Sequence, residues 1–179
     1  IDLSRNSFGE LRLEIGDIDV ARVITEVAET LRPQIEASGQ ALDIRIDGST
    51  PSIEADGKRI RQIIFNLLQN ARVHTPGGTT IEVSVCGTGT EVLVEVKDDG
   101  EGLPFENPED AFGSFRSGLA TGGDPMTGSG IGLTISRQLA ELHRGTLEVE
   151  SEAGVGTKFT LLLPVERTAA RKLVLPEAN

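Results

Sequence analysis

The clearest periodicity lies over residues 20–38. Val20, Val23, Ile24, Val27, Leu31 and Ile35 recur at three- and four-residue steps, so a helix would gather them on one stripe. Asp19 stands at the N-cap position and Gly39 at the stop. A second helix is predicted over 57–73, capped by Asp56, with Ile60, Ile63, Ile64, Leu67, Leu68 and Ala71 as its apolar stripe. A third is predicted over 131–144 and closed by Gly145. Elsewhere the period is two. Leu42, Ile44 and Ile46 alternate with polar residues, a half-buried strand. TTIEVSVC and TEVLVEVKD predict strands joined by Gly87-Thr88-Gly89, and GTLEVESE and TKFTLLLP predict a last hairpin. Residues 11–16 alternate weakly, and 1–10 read as the end of a helix released at Gly9. Three helices alternating with hairpin-linked strands predict an α+β, two-layer α/β sandwich with a mixed sheet, not a doubly wound parallel sheet.

Two stretches break the pattern. Residues 98–129 are glycine-rich and irregular, longer than an ordinary connection, which points to function. The tail, 166–179, has no period and is expected to be disordered.

Charge narrows the partners. The formal net charge is −11, so nucleic acid or an anionic membrane surface is not expected to bind. An acidic chain that takes a polyanion must build the site locally, from backbone N–H groups, a metal and a few cations. The single cysteine, Cys86, excludes an internal disulfide and a cysteine-rich zinc site, and fits a cytoplasmic setting. It ends a strand and reads as a small buried hydrophobe. No run reaches the length of a membrane span. The opening IDLSRNSFG begins mid-pattern, so a longer parent protein is expected.

Three segments carry candidate chemistry. On the second helix, Gln62, Asn66, Asn70 and Val73 share a face apart from the apolar stripe. Two asparagines at i, i+4 align amide oxygens, neutral hard ligands that suit Mg²⁺ still holding most of its waters; an ordinary polar face would read the same. KDDGEGLP, residues 97–104, follows a strand directly. A carboxylate there can accept from an adenine amine, although Asp-Gly also favours a plain surface turn. GSGIGLTIS, residues 128–136, opens the third helix with alternating glycines, and a helix N-terminus offers free N–H groups to phosphate. The spacing fits neither a dinucleotide fingerprint nor a P-loop.

Order and spacing together say more. NLLQNARVHTPGG, DDGEGLP, AFGSFRSG, GSGIGLTIS and GVGTKFTLLLP closely resemble the catalytic domain of sensor histidine kinases, in the GHKL superfamily with the Bergerat ATP-binding fold. The resemblance covers roughly residues 10–165. DLSRNSFGELRLEIGDIDV looks like the junction to a kinase's dimerisation helices, making 1–10 a helix end or linker and 11–165 the catalytic domain.

The resemblance implies Mg²⁺ coordination by Asn70, with Asn66 beside the phosphates. It implies that Asp98 accepts the adenine amine, a choice over Asp99 that rests on the family's D-x-G-x-G spacing, with Gly100 and Gly102 following. Phe112 and Phe115 would anchor a loop over the nucleotide, and Arg116 would touch phosphate or partner. Gly128, Ser129, Gly130, Ile131, Gly132 and Leu133 match the phosphate cradle, and 116–127 the lid, with Met126 packing in it. One departure stands out. The family usually places Lys or Arg three residues after the metal asparagine, where this chain has Val73. Arg72 is one residue earlier, about 100° round an ideal helix; it or His74 would substitute only if the helix end unwound. Both histidines are outside the phosphoacceptor motif. His74 reads as a packing residue at the helix end, His143 as a solvated surface residue.

The implied function is to bind Mg-ATP and donate the γ-phosphate to a histidine on a separate dimerisation domain, from which it passes to a response regulator. Two rivals remain. A GHKL ATPase would carry a glutamate where Asn66 stands; a degenerate module would bind ATP without transfer, which Val73 favours.

Overall fold

A computed structural model describes residues 13–48, 50–113 and 131–166. The expectations for 1–10, for 116–127 and for the tail from 167 onward lie outside those residues. The elements in chain order are β1 (Gly16–Ile18), α1 (Val20–Ala37), β2 (Ala41–Ile46), β3 (Ile53–Ala55), α2 (Gly57–His74), β4 (Thr80–Gly87), β5 (Glu91–Asp98), a short 3₁₀ turn (Pro108–Phe112), α3 (Ile131–Leu142), β6 (Thr146–Glu152) and β7 (Gly156–Pro164).

Both predicted caps are made. The Asp19 carboxylate accepts from the Arg22 N–H at 3.0 Å, and Asp56 Oδ1 accepts from Lys58 N–H at 3.0 Å and Arg59 N–H at 3.3 Å. Each satisfies donors that the first helical turn leaves unpaired. The predicted stripes of α1 and α2 are buried throughout.

Five strands form one mixed sheet in the order β2-β4-β5-β7-β6, with β2 parallel to β4 and the other pairs antiparallel. α2 lies in the β2–β4 connection, as a parallel pair requires a crossover. Val92, Val94 and Val96 of β5 and Phe159, Leu161 and Leu163 of β7 are buried with the helices' apolar stripes in one core. The alternate residues carry charge: Arg45 pairs with Glu82 at 2.8 Å, and Lys158 with Glu150 at 3.1 Å. This is the expected two-layer sandwich with a mixed sheet. No described helix is long and apolar enough to cross a membrane.

Several details differ from the sequence reading. The first described strand is Gly16–Ile18, paired antiparallel with an unexpected three-residue strand, Ile53–Ala55. α3 stops at Leu142, and the left-handed turn falls on Arg144, φ 60°, not on Gly145. Glycine is required at 145 because a Cβ there would overlap the Leu162 carbonyl oxygen. Cys86 is half-buried, since it alternates with Val83 and Val85, whose side chains enter the core.

His143 is the plainest correction. It is 3% exposed, not a solvated surface residue. Its Nε2 accepts from the Asp56 N–H at 3.0 Å, and its Nδ1 lies 2.7 Å from the Leu139 carbonyl. That carbonyl can only accept, so Nδ1 carries the proton. The end of α3 is thereby tied to the start of α2. Asp56 Oδ2 also accepts from Glu14 N–H at 2.9 Å, adding the segment before β1 to the same junction.

Candidate functional site

Asp98 is the last residue of β5, and its position follows from strand geometry. Val92, Val94 and Val96 face the core, so two residues further on Asp98 faces it too. It is 5% exposed. Its Oδ1 accepts from the Gly100 N–H at 3.1 Å and from the Thr157 N–H at 3.3 Å. Oδ2 has no hydrogen-bond partner among the described residues. Burial raises the carboxyl's pKa; the two N–H groups and His74 pull it down, and the Asp99 charge pushes with burial. Asp99 turns the other way, where its Oδ1 accepts from the Thr80 N–H at 2.6 Å. The strand's alternation thus separates the two aspartates, a signal present in the sequence.

The turn after Asp98 is fitted closely to the β6–β7 hairpin. Gly156, φ +133°, lies against Asp98, and a Cβ there would overlap the Asp98 carbonyl oxygen. Gly102, φ +81°, would bring a Cβ to 2.6 Å from the Glu152 carbonyl oxygen. The Ser151 hydroxyl accepts from the Leu103 N–H at 2.8 Å. Thr157 is paired with Asp98 in register and buried beside it. The sequence reading passed over Thr157, although its alternation with Phe159 and Leu161 places it on the same face.

From α2 come the two asparagines. Asn70 is half-buried, and its amide has no hydrogen bond among the described residues. Asn66 is committed: its Nδ2 donates to the Gly132 carbonyl and to Ser136 Oγ, both at 3.1 Å. The start of α3 therefore stands directly against α2. At the end of α2 the helix continues intact through His74, so the unwinding that would free Arg72 or His74 is not present. Arg72 Nε instead donates to Gln69 Oε1 at 3.1 Å. Val73 is 39% exposed. His74 is exposed as well, not packed. Desolvation nonetheless lowers its pKa, with the Asp98 charge acting the other way. Gln40, 5% exposed, closes this helix end by donating through Nε2 to the Arg72 and Thr75 carbonyls at 3.0 and 2.8 Å.

Phe112 is buried, edge-on to Phe159 with ring centroids 6.1 Å apart, and the Arg137 guanidinium lies 3.7 Å from its ring centroid. Leu133 is buried on α3. Phe115, Arg116, Gly128, Ser129 and Gly130, and the side chain of Ile131, lie outside the described residues. Asp98 and Gly100 are joined by a hydrogen bond beyond the end of β5, where Gly100 lies against Thr75 at the C-terminal end of α2, Gly102 lies against Glu152 of β6, and Asn66 on α2 meets Gly132 in the first turn of α3.

The donor set fits a purine nucleotide and its metal. A buried carboxylate with one uncommitted oxygen suits an exocyclic amine, and an uncommitted amide oxygen suits Mg²⁺ that keeps most of its waters. No cluster of His, Cys, Asp and Glu among the described residues could hold a metal alone. An ion here would need phosphate oxygens.

Comparison with known proteins agrees with this geometry. Residues 55–167 match the family described as histidine kinase-, DNA gyrase B-, and HSP90-like ATPase. The alginate biosynthesis sensor protein KinB of Pseudomonas aeruginosa is 32% identical over 165 residues, 92% of this chain but 27% of that protein. The chain thus spans about a quarter of that relative's length. The nucleotide-free catalytic domain of histidine kinase ThkA superposes with a TM-score of 0.74 at 28% identity, covering 87% of this chain and 98% of that one. Full-length ShkA in complex with AMPPNP gives 0.71 at 26% identity, covering 86% of this chain and 32% of that one. With the family matched over most of the described domain and the architecture shared with a solved histidine kinase catalytic domain, the chain belongs to the histidine kinase-, DNA gyrase B- and HSP90-like ATPases, as the catalytic ATP-binding domain of a sensor histidine kinase.

Proposed function

We propose that this domain binds Mg-ATP and presents the γ-phosphate to a histidine on a separate dimerisation domain, from which a response regulator's aspartate receives it. The observation that carries the reading is Asp98: a buried carboxylate with one oxygen held by Gly100 and Thr157 and the other uncommitted. That oxygen accepts from the adenine amine, which selects ATP over GTP. Asn70 offers its amide oxygen to the metal, and Asn66 stands one turn earlier against α3. Ile131, Gly132 and Leu133 begin that helix, whose N-terminal end holds phosphate through backbone N–H groups, joined by those of Gly128, Ser129 and Gly130 just before it in sequence. Phe112, fixed between Phe159 and Arg137, anchors the segment toward Phe115 and Arg116. Mg²⁺, when bound, neutralises charge on the phosphates. The chain's own contribution is orientation, the main part of catalysis in phosphoryl transfer.

Asn66 favours transfer over hydrolysis. Its amide has no basic lone pair at neutral pH, and its N–H groups are already given to α3. The domain is therefore expected to bind ATP and hydrolyse it very slowly. Mixed with its parent's histidine domain and [γ-³²P]ATP, it should label that domain with an acid-labile, base-stable phosphate. Rapid phosphate release by the domain alone would favour an ATPase. Tight ATP binding without transfer would favour a regulatory binding module.

A further inference from the structure

We propose that Ser136 is a positioning residue of the nucleotide site, setting the direction in which Asn66 presents its amide oxygen. The inference rests on Asn70 being a Mg²⁺ ligand. Ser136 is wholly buried on α3, facing α2. Its hydroxyl has one hydrogen, which it donates to the Gly132 carbonyl at 2.8 Å, one turn back on its own helix. The lone pairs that remain accept from Asn66 Nδ2 at 3.1 Å. The second Asn66 N–H goes to the Gly132 carbonyl, also at 3.1 Å. Both acceptors can only be met by the amide nitrogen, so the amide cannot turn over without setting its oxygen against the Gly132 carbonyl.

Oδ1 is consequently fixed on the side away from α3 and has no hydrogen-bond partner among the described residues. Asn70 lies four residues on, in the same row of α2, with its own amide uncommitted. The two amides stand one turn apart, and of the two only Asn66 is held by a side-chain hydrogen bond among the described residues. Ser136 thus acts on the metal-bearing phosphates through Asn66, without touching nucleotide or ion. The two bonds from Asn66 hold the first turns of α3 against α2, so the amide row and the phosphate-binding helix end keep one relative position.

The test compares Ser136→Ala with the unaltered chain, by titration calorimetry with ATP at saturating Mg²⁺ and with ATP in EDTA. Removing the hydroxyl takes away one of the two bonds that orient Asn66. Mg-ATP affinity should fall about three- to tenfold, the scale of one hydrogen bond, while metal-free ATP changes less than about twofold. Ser136→Cys keeps the volume and a weaker acceptor, so it should fall between; it carries the test should the alanine variant fail to fold. Equal losses in both titrations would mean a general loosening of the helix pair and would overturn the proposal, as would no loss in either. Asn70→Ala separates the two layers of the argument. If it leaves the Mg²⁺ dependence intact, the metal reading itself is wrong; if it abolishes that dependence and Ser136→Ala does not alter it, only the role of Ser136 fails.

Discussion

Asp98→Asn isolates one oxygen. Alanine at 98 would be a poor probe, because it leaves the buried N–H groups of Gly100 and Thr157 without an acceptor, and each such loss costs about 1–3 kcal/mol. Asparagine retains Oδ1 for both and replaces only Oδ2, the oxygen without a partner among the described residues. Where an acceptor stood, an NH₂ donor now meets the donor amine of adenine. Losing a bond to a charged acceptor in a dry site should cost about 2–3 kcal/mol, roughly 30- to 150-fold in ATP affinity. GTP carries a carbonyl at the equivalent ring position, so its affinity should rise relative to ATP. The chain has no Trp or Tyr, which makes calorimetry a better assay than intrinsic fluorescence. Unchanged ATP affinity in Asp98→Asn would refute the assignment of Asp98 to adenine. A stability measurement supplies a second check. Burial raises the Asp98 pKa above its ordinary 3.8. The folded state therefore binds the proton more tightly than the unfolded chain, and this contribution, full below 3.8, is lost as pH rises through the folded value. Any stability advantage of Asp98→Asn in the ligand-free protein should accordingly shrink as pH falls through that window.

Three further outcomes follow from the same contacts. His143→Leu leaves the buried Asp56 N–H without an acceptor and should destabilise by about 1–3 kcal/mol in urea denaturation, with His143→Gln recovering part of the loss; equal midpoints for His143→Leu and the unaltered chain would contradict the buried bond. Asp56→Ala removes the α2 cap and should cost about 1–2 kcal/mol at neutral pH. Desolvation works to raise the Asp56 pKa but the N–H groups of Glu14, Arg59 and Lys58 outweigh it and lower it, so the carboxylate's contribution is present above its ordinary value and the penalty should fade as pH drops through the depressed folded value. Val73→Lys adds a cation at a position already 39% exposed, without burying charge, and should tighten ATP binding severalfold by calorimetry, on the order of one charge-assisted contact; weaker or unchanged binding would show that this helix end lies clear of the phosphates.

What could be read from the chain was whatever has a local period or a local cap. The stripes of α1 and α2 needed only 3.6-residue spacing, and Asp19 and Asp56 needed only their places before those stripes. The alternation of β5 placed Asp98 on the inner face, a deduction available before any resemblance and not drawn from it. The motifs carried the family because their order is linear. The extent of α2 through His74 was legible within a residue, yet the commitment of Arg72 to Gln69 was not.

The rest depended on residues far apart in the chain. The Ile53–Ala55 strand is too short to show a period, and it exists because β1 pairs with it. His143 reads as solvated from its place at a helix end; it is buried because Asp56, 87 residues away, supplies the N–H that its Nε2 accepts. Ser136 looks like any small helical residue until Asn66, 70 residues away, is found against it. Local sequence fixes backbone conformation through short-range sterics and capping, and so it determined the elements and named the candidate groups. The partner of each buried polar atom is decided only when two elements pack, because a hydrogen bond needs its donor and acceptor within about 3 Å and sequence separation does not specify that distance.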